Sequence, residues 1–212
     1  MKKSILILSI FLSFTQIGGR TQTQPIPSEF PCFIQKNSEL SEVIHLLSKV
    51  PKNQLEEFVG VLQNFAAPRN FDWRLCLLIM HNESRINTKE KAGSFGGLIM
   101  FGTDARRMLK ASFEELLSMS YVAQAKAAVI LWEAAEKMTG TKITSFIELQ
   151  VSTFMPIWLK SEGNPFPASE QIKKQNFPFV GANGEISKES LLKFYRKKVA
   201  ADASLKFFLG KI

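Results

Sequence analysis

The chain has 212 residues, 45% hydrophobic and 22% charged, and its 27 Lys and Arg against 19 Asp and Glu give a net charge of +8. That is enough apolar material for a real core, which excludes disorder, collagen-like repeats and a disulfide-dense miniprotein. Only two His and two Cys are present, so repeated Cys₂His₂ fingers, an HExxH zincin and multi-histidine metal sites are excluded too, and any chemistry falls to carboxylates or hydroxyls.

Met1, Lys2 and Lys3 form a short cationic lead into an apolar run from Ile5 to Phe14, followed by Gly18 and Gly19. This is the layout of a secretory signal peptide over residues 1–19. The run is too short to span a bilayer comfortably, so no stable membrane span is expected after cleavage. The expected location is periplasmic or secreted. Export makes a Cys32–Cys76 disulfide possible, but Cys76 lies inside the apolar stretch from Trp73 to Met80, where a thiol serves as a small core hydrophobe. Two free thiols are the preferred reading.

Residues 20–38 are rich in Thr, Gln, Pro and Ser and read as an extended lead-in, with one domain over 39–212. From Ser38 the 3.6-residue period takes over. Leu40, Val43, Ile44, Leu47 and Val50 mark a first helix, ended by Pro51, and Leu55, Phe58, Val59, Leu62 and Phe65 mark a second. Asp72 to Asn82 is apolar nearly all round, which predicts a central buried helix. A loop with Gly93, Gly96 and Gly97 leads to a helix from Thr103 through Leu109. Ser112 and Glu115 are spaced as a capping box for a short segment ending at Met119. Ser120 to Met138 predicts a long Ala-rich helix stopped by Gly140. Further helices are expected from Thr144 to Met155 and from Ser187 to Ala201, with 161–185 mostly irregular. No persistent strand alternation appears, so the fold class is mainly α.

Glu83 is the residue to explain. It stands where a strongly apolar helix ends, and a carboxylate there is disfavoured by the helix macrodipole. On the floor of a cleft, partial desolvation would raise its pKa and keep it protonated near neutrality, as a general acid requires. The plainer alternative is a solvated residue at a helix end.

Glu83, Ser84, Arg85, Ile86 and Asn87, then Gly97, Leu98, Ile99, Met100 and Phe101, then Thr103, Asp104 and Ala105, resemble the signature of the soluble lytic transglycosylases and goose-type lysozymes. The segment is most like that of the phage-associated members, and the core match covers residues 70–110. The resemblance implies a lysozyme-like single domain acting on peptidoglycan glycan strands, with no metal or cofactor. Glu83 would be the single catalytic acid and base at the bond between N-acetylmuramic acid and N-acetylglucosamine. Ser84, Ser94, Gly97, Leu98, Met100 and Phe101 would form the substrate-binding surround.

Ordinary glycosidases need two carboxylates. A transglycosylase manages with one, because the nucleophile is the muramic acid 6-hydroxyl and the acetamido group stabilises the anomeric centre. Glu90 and Asp104 are the nearest spare acids, and neither is placed as a nucleophile. Two departures from the family stand out: Met100 occupies the place of a Gln, and Leu149 or Gln150 replaces an expected Tyr. Met100 favours a second function class, a non-catalytic peptidoglycan-binding or envelope-assembly protein with a degenerate cleft.

Other motifs carry less. Ala92 to Gly96 fits a relaxed serine-hydrolase elbow, but the polar residues 87–91 cannot be the buried strand it requires. The turn around Asn183 and Gly184 lacks the ligands of a calcium loop. Trp73 and Trp132 read as structural, and Trp158 as the candidate for stacking on a sugar. His81 reads as a cleft-edge residue. Residues 157–212 hold ten Lys or Arg against five Asp or Glu, which suits an anionic wall polymer outside the membrane. No nucleic-acid signature is present, and a monomer is expected.

Overall fold

Apolar residues recurring every three or four positions organise most of the helices in the computed structural model, which describes residues 38–161 and 165–212. The expected signal peptide, most of the lead-in and Cys32 lie outside the described residues. Within them the architecture is mainly α.

Helices α1 (Ser38–Ser41) and α2 (Ile44–Leu47) stand where one continuous helix is predicted. Val43 leaves the helical region with φ −119° and ψ 15° yet stays buried. Glu42 beside it reaches Arg74 Nη1 at 2.5 Å, a tertiary contact that local periodicity cannot foresee. Helix α3 (Lys52–Ala66) follows Pro51 and buries Leu55, Phe58, Val59, Leu62 and Phe65 on one face. After a 3₁₀ turn at Ala67–Arg69 comes α4 (Arg74–Ser84), in which every residue from Leu75 to Met80 is buried.

A small hairpin follows. Strands β1 (Lys91–Ala92) and β2 (Phe95–Gly96) pair antiparallel, Lys91 opposite Gly96 and Ala92 opposite Phe95. Two residues per strand are too few to leave an alternating pattern in the sequence. Helices α5 (Thr103–Leu109) and α6 (Phe113–Ser118) come next, the latter with the full Ser112–Glu115 capping box. Helix α7 (Tyr121–Thr139) runs from its Ser120 cap to Gly140, whose φ of 73° supplies the left-handed stop. Helix α8 (Phe146–Phe154) is capped by Ser145. Helix α9 (Glu170–Gln175), capped by Ser169, is a regular turn inside the stretch predicted to be mostly irregular. Helix α10 (Lys188–Ala201) carries a Ser187 capping box, and a 3₁₀ segment at Ala203–Gly210 follows it.

Helix α7 packs against α3 and α8, while α8 also meets α4 and α10. Buried Trp132 of α7 joins three of these elements: its ring lies 5.2 Å from that of Phe65 on α3, and Nε1 donates to Thr153 Oγ1 on α8 at 2.9 Å. Trp158 is a correction to the sequence reading. It is 2% exposed and stacks face to face on Phe166 at 4.9 Å, so it is a core residue with no free face for a sugar. Cys76 is a free, wholly buried thiol whose pKa burial pushes up. No helix among the described residues is long and apolar enough to cross a membrane.

Candidate active site

The run of buried residues in α4 fixes the helix in the core, so the polar residues at its end are delivered to one place. The helix closes with Arg85 at φ 57° and Ile86 at φ 56°, whose amides turn back to the carbonyls of His81 and Met80 at 3.0 and 3.3 Å. Left-handed backbone costs an ordinary side chain roughly 1–2 kcal/mol, and β-branched Ile86 is an uncommon occupant. Met100, in the facing loop, is a third such residue at φ 53°. Strain held in this way is characteristic of sites that need a fixed geometry.

Glu83 occupies the last turn of α4 and is half-buried. Gln150 Nε2, from α8, donates to its Oε1 at 3.3 Å. Burial pushes the carboxyl pKa up, against the opposing effects of the Gln150 hydrogen bond and the positive charge of Lys198 on α10. With Oε1 engaged as an acceptor, Oε2 is the oxygen better suited to carry the proton of the neutral form. Gln150 is 1% exposed, and its own Oε1 has no partner among the described residues. Asn82, also buried, finds no partner for either side-chain amide atom among the described residues. Unsatisfied buried polar atoms are scarce in folded proteins, and two of the residues that carry them here, Gln150 and Asn82, are the hydrogen-bond partner and the chain neighbour of Glu83.

Ser84 points inward. At 2% exposed, its hydroxyl lies 3.0 Å from the Met80 carbonyl and 2.9 Å from the Leu98 carbonyl, donating to either, and it accepts the Asn87 amide at 3.2 Å. It therefore ties the end of α4 to the glycine loop, with no surface left for a substrate. Gly97 and Leu98 are held by Gln124 of α7, whose Oε1 accepts the Leu98 amide at 2.8 Å while Nε2 donates to the carbonyls of Thr88 and Leu116 at 2.9 and 2.8 Å. Gly97 has φ +80°, and a Cβ there would meet Gln124 Oε1 at 2.6 Å, so glycine is required twice over. Met100 is 6% exposed and Phe101 1%, with the Phe101 amide donating to the Gly96 carbonyl at 2.7 Å. Ser94 is exposed at the hairpin turn, and its carbonyl accepts from Arg106 at 3.3 Å. The sequence-predicted residues thus form one continuous loop-and-helix unit in which Phe101 and Ser84 are supports.

The positive charge that reaches Glu83 is that of Lys198 on α10, and a second polar group lies where the ends of α4 and α10 approach. His81 Nε2 lies 2.6 Å from Arg85 Nη1 and 3.9 Å from Asp202 Oδ2. Burial and the Arg85 charge lower the His81 pKa to about 4, so Nε2 is unprotonated and accepts from Arg85. Lys198 is half-buried, and its pKa falls to about 8, chiefly through burial. Asp104 is 94% exposed and paired with Arg107 at 2.8 Å, and Glu90 accepts from Asn87 at 3.2 Å. Among the described residues, no group of three or more His, Cys, Asp or Glu side chains converges as a metal site would.

Gln124 and Lys198 are the site residues that sequence reasoning missed as such. Gln124 had a visible signal, an amide amid the alanines of a buried helix face. Lys198 had none, being one cation in the run Arg196, Lys197, Lys198. No family model, curated protein or solved structure matches the chain.

Proposed function

We propose that the protein is an exported, lysozyme-like lytic transglycosylase that cleaves the glycan strands of peptidoglycan, with Glu83 as its one acid and base. The observation that carries this reading is the state of the Glu83 carboxyl: half-buried, raised in pKa and, among the described residues, held by a single amide and without a cationic partner in contact. A carboxyl tied down for structural reasons would be saturated with donors. This one is left protonatable at the surface of the fold, beside a glycine loop clamped in place by Ser84 and Gln124.

In the proposed reaction Glu83 gives its proton to the glycosidic oxygen as the bond from the muramyl anomeric carbon breaks. The positive charge at that carbon is stabilised by the neighbouring acetamido oxygen. The resulting carboxylate then takes the proton of the muramic acid 6-hydroxyl as that oxygen bonds to the anomeric carbon. The product carries a 1,6-anhydro ring, Glu83 ends protonated, and no water or second carboxylate is consumed. Entry of water in place of the hydroxyl makes the same site a muramidase.

The test is digestion of purified peptidoglycan with wild type and Glu83→Gln, followed by muropeptide analysis. Anhydro-muropeptides are expected from the wild type, with a loss of about 10²–10⁴-fold in the variant. No new product from the wild type would overturn the catalytic reading. The second reading, a non-catalytic wall-binding protein, draws on Met100: a buried thioether stands where the resembling family places an amide, and it offers no hydrogen bond to a sugar.

A further inference from the structure

Helix α8 carries Phe146, Gln150 and Phe154 at four-residue intervals, one above the other on a single stripe. The two rings pack as a core stripe should. Phe146 meets Tyr195 of α10 edge to face at 5.2 Å, while Phe154 meets Trp158 at 5.7 Å and Phe179 at 5.6 Å. Gln150 is the polar interruption, buried between them. Its Nε2 lies 3.3 Å from Glu83 Oε1, and its own Oε1 is closed off from solvent and has no partner among the described residues. A buried acceptor left unpaired costs about 1–3 kcal/mol, which an apolar residue of the same size would avoid.

A structural amide in this fold looks different. Gln124 engages both of its ends with three backbone groups of the loops it clamps. Gln150 has one partner, so Glu83 alone decides which end of the amide faces it. With Oε1 turned to Glu83, the amide would serve only a protonated carboxyl and would hold the proton on the inner oxygen. With Nε2 turned to it, as observed, the hydrogen bond lasts through the whole proton cycle. It goes to a carboxylate oxygen in the ionised form and to the carbonyl oxygen in the neutral form, which leaves the proton on Oε2. The solvent-inaccessible Oε1 of Gln150 also marks the α8 side of the carboxyl as shut to water.

We propose that Gln150 is the positioning residue of Glu83: its amide pins Oε1 and shuts the α8 side of the carboxyl to water, so that Glu83 gives and takes its proton through Oε2 alone. The inference rests on the reading of Glu83 as acid and base at the muramyl glycosidic bond. On that reading Oε2 protonates the glycosidic oxygen and then faces the muramic acid 6-hydroxyl, which closes the 1,6-anhydro ring as its proton passes to Oε2. Water follows a competing course, in which its oxygen bonds to the anomeric carbon, its proton goes to Glu83 and a reducing end is left. Gln150 biases the site toward the anhydro product by leaving water no second oxygen of Glu83 to approach.

The hold on Glu83 is tested without turnover, by NMR of the Gln150 side-chain amide in the isotopically labelled full chain, its signal assigned by its loss in Gln150→Met. One amide proton is expected to change shift with pH as Glu83 titrates and to lose that dependence in Glu83→Gln. Both amide protons are expected to exchange with water at least about tenfold slower than those of an exposed Gln. A shift indifferent to Glu83, or exchange at the exposed rate, would overturn the proposal. Digestion of purified peptidoglycan then reads the consequence. Gln150→Met keeps the volume and loses the donor, and is expected to lower cleavage by about 10–10²-fold with the products still mostly anhydro. Gln150→Ser opens space behind the carboxyl and is expected to raise the ratio of reducing-end to anhydro products about tenfold. Full activity in Gln150→Met, or an unchanged ratio in Gln150→Ser, sinks the positioning role. Wild type that releases anhydro products while its Gln150 amide ignores Glu83 sinks that role and keeps the catalytic reading. A responsive, protected amide in a wild type that releases no product keeps the hold and sinks the catalysis.

Discussion

Two carboxylates of this protein, buried Glu136 on α7 and half-buried Glu83 on α4, have opposite fates. Glu136 is 7% exposed and saturated. Arg69 forks onto it at 2.9 and 2.6 Å, the Ile143 amide donates at 2.8 Å, and Lys142 stands 3.7 Å away. These partners outweigh burial and hold its pKa below the usual carboxylate range. Among the described residues Glu83 receives one amide hydrogen bond at 3.3 Å and no salt bridge, and burial carries its pKa upward. The two carboxyls shift in opposite directions because several donors meet Glu136 and a single amide meets Glu83, where burial prevails.

The strongest way to break the comparison is to strip Glu136. Arg69→Met leaves a buried charge with its principal partner gone and is expected to cost about 3–5 kcal/mol in urea unfolding. Glu83→Gln is expected to behave oppositely: stability relative to wild type rises as pH is taken from 5 to 8, because the wild-type carboxyl must ionise where burial resists it. A stability loss from Glu83→Gln as large as that from Arg69→Met would mean the two acids are alike after all.

Gln124→Leu strands the Leu98 amide and the Thr88 and Leu116 carbonyls. At about 1–3 kcal/mol for each buried group left unpaired, a loss of at least about 3 kcal/mol is expected, together with loss of the proposed glycan cleavage as the loop shifts. Gln150→Leu sharpens the other side. It removes a hydrogen bond that lowers the Glu83 pKa, so the alkaline limb of the pH–activity profile is expected to move upward. An unmoved limb with lower activity throughout would reduce Gln150 to a packing residue.

A further effect lies in acid. Glu136, with its pKa lowered, contributes stability above the ordinary carboxylate range that is lost as pH falls through its folded value. His81, with its pKa lowered from 6.5 to about 4, adds stability that is complete above pH 6.5 and lost as pH falls towards 4. Glu83 has the reverse sign: its share is complete below the ordinary value of 4.5 and is lost as pH rises. Urea midpoints of His81→Gln are therefore expected to vary less between pH 6.5 and 4 than those of wild type.

Local chemistry made much of this molecule legible from its residues. The apolar stripe of α3, the all-apolar run of α4, the Ser112–Glu115 box and the Gly140 stop are short-range physics, each fixed by neighbours within four positions. Glu83 stood out for the same reason, as an acid at the wrong end of a helix. The break at Val43 and the burial of Trp158 against Phe166 were not legible, because each depends on a contact with a separate element. Nor were the partners of the acids. Gln150 and Glu83 are 67 positions apart, as are Arg69 and Glu136. Sequence determined which carboxylates the helices would carry and roughly where. Only the tertiary structure decided that one would be saturated and the other left short of donors, since a hydrogen-bond count is a property of whatever the fold packs alongside.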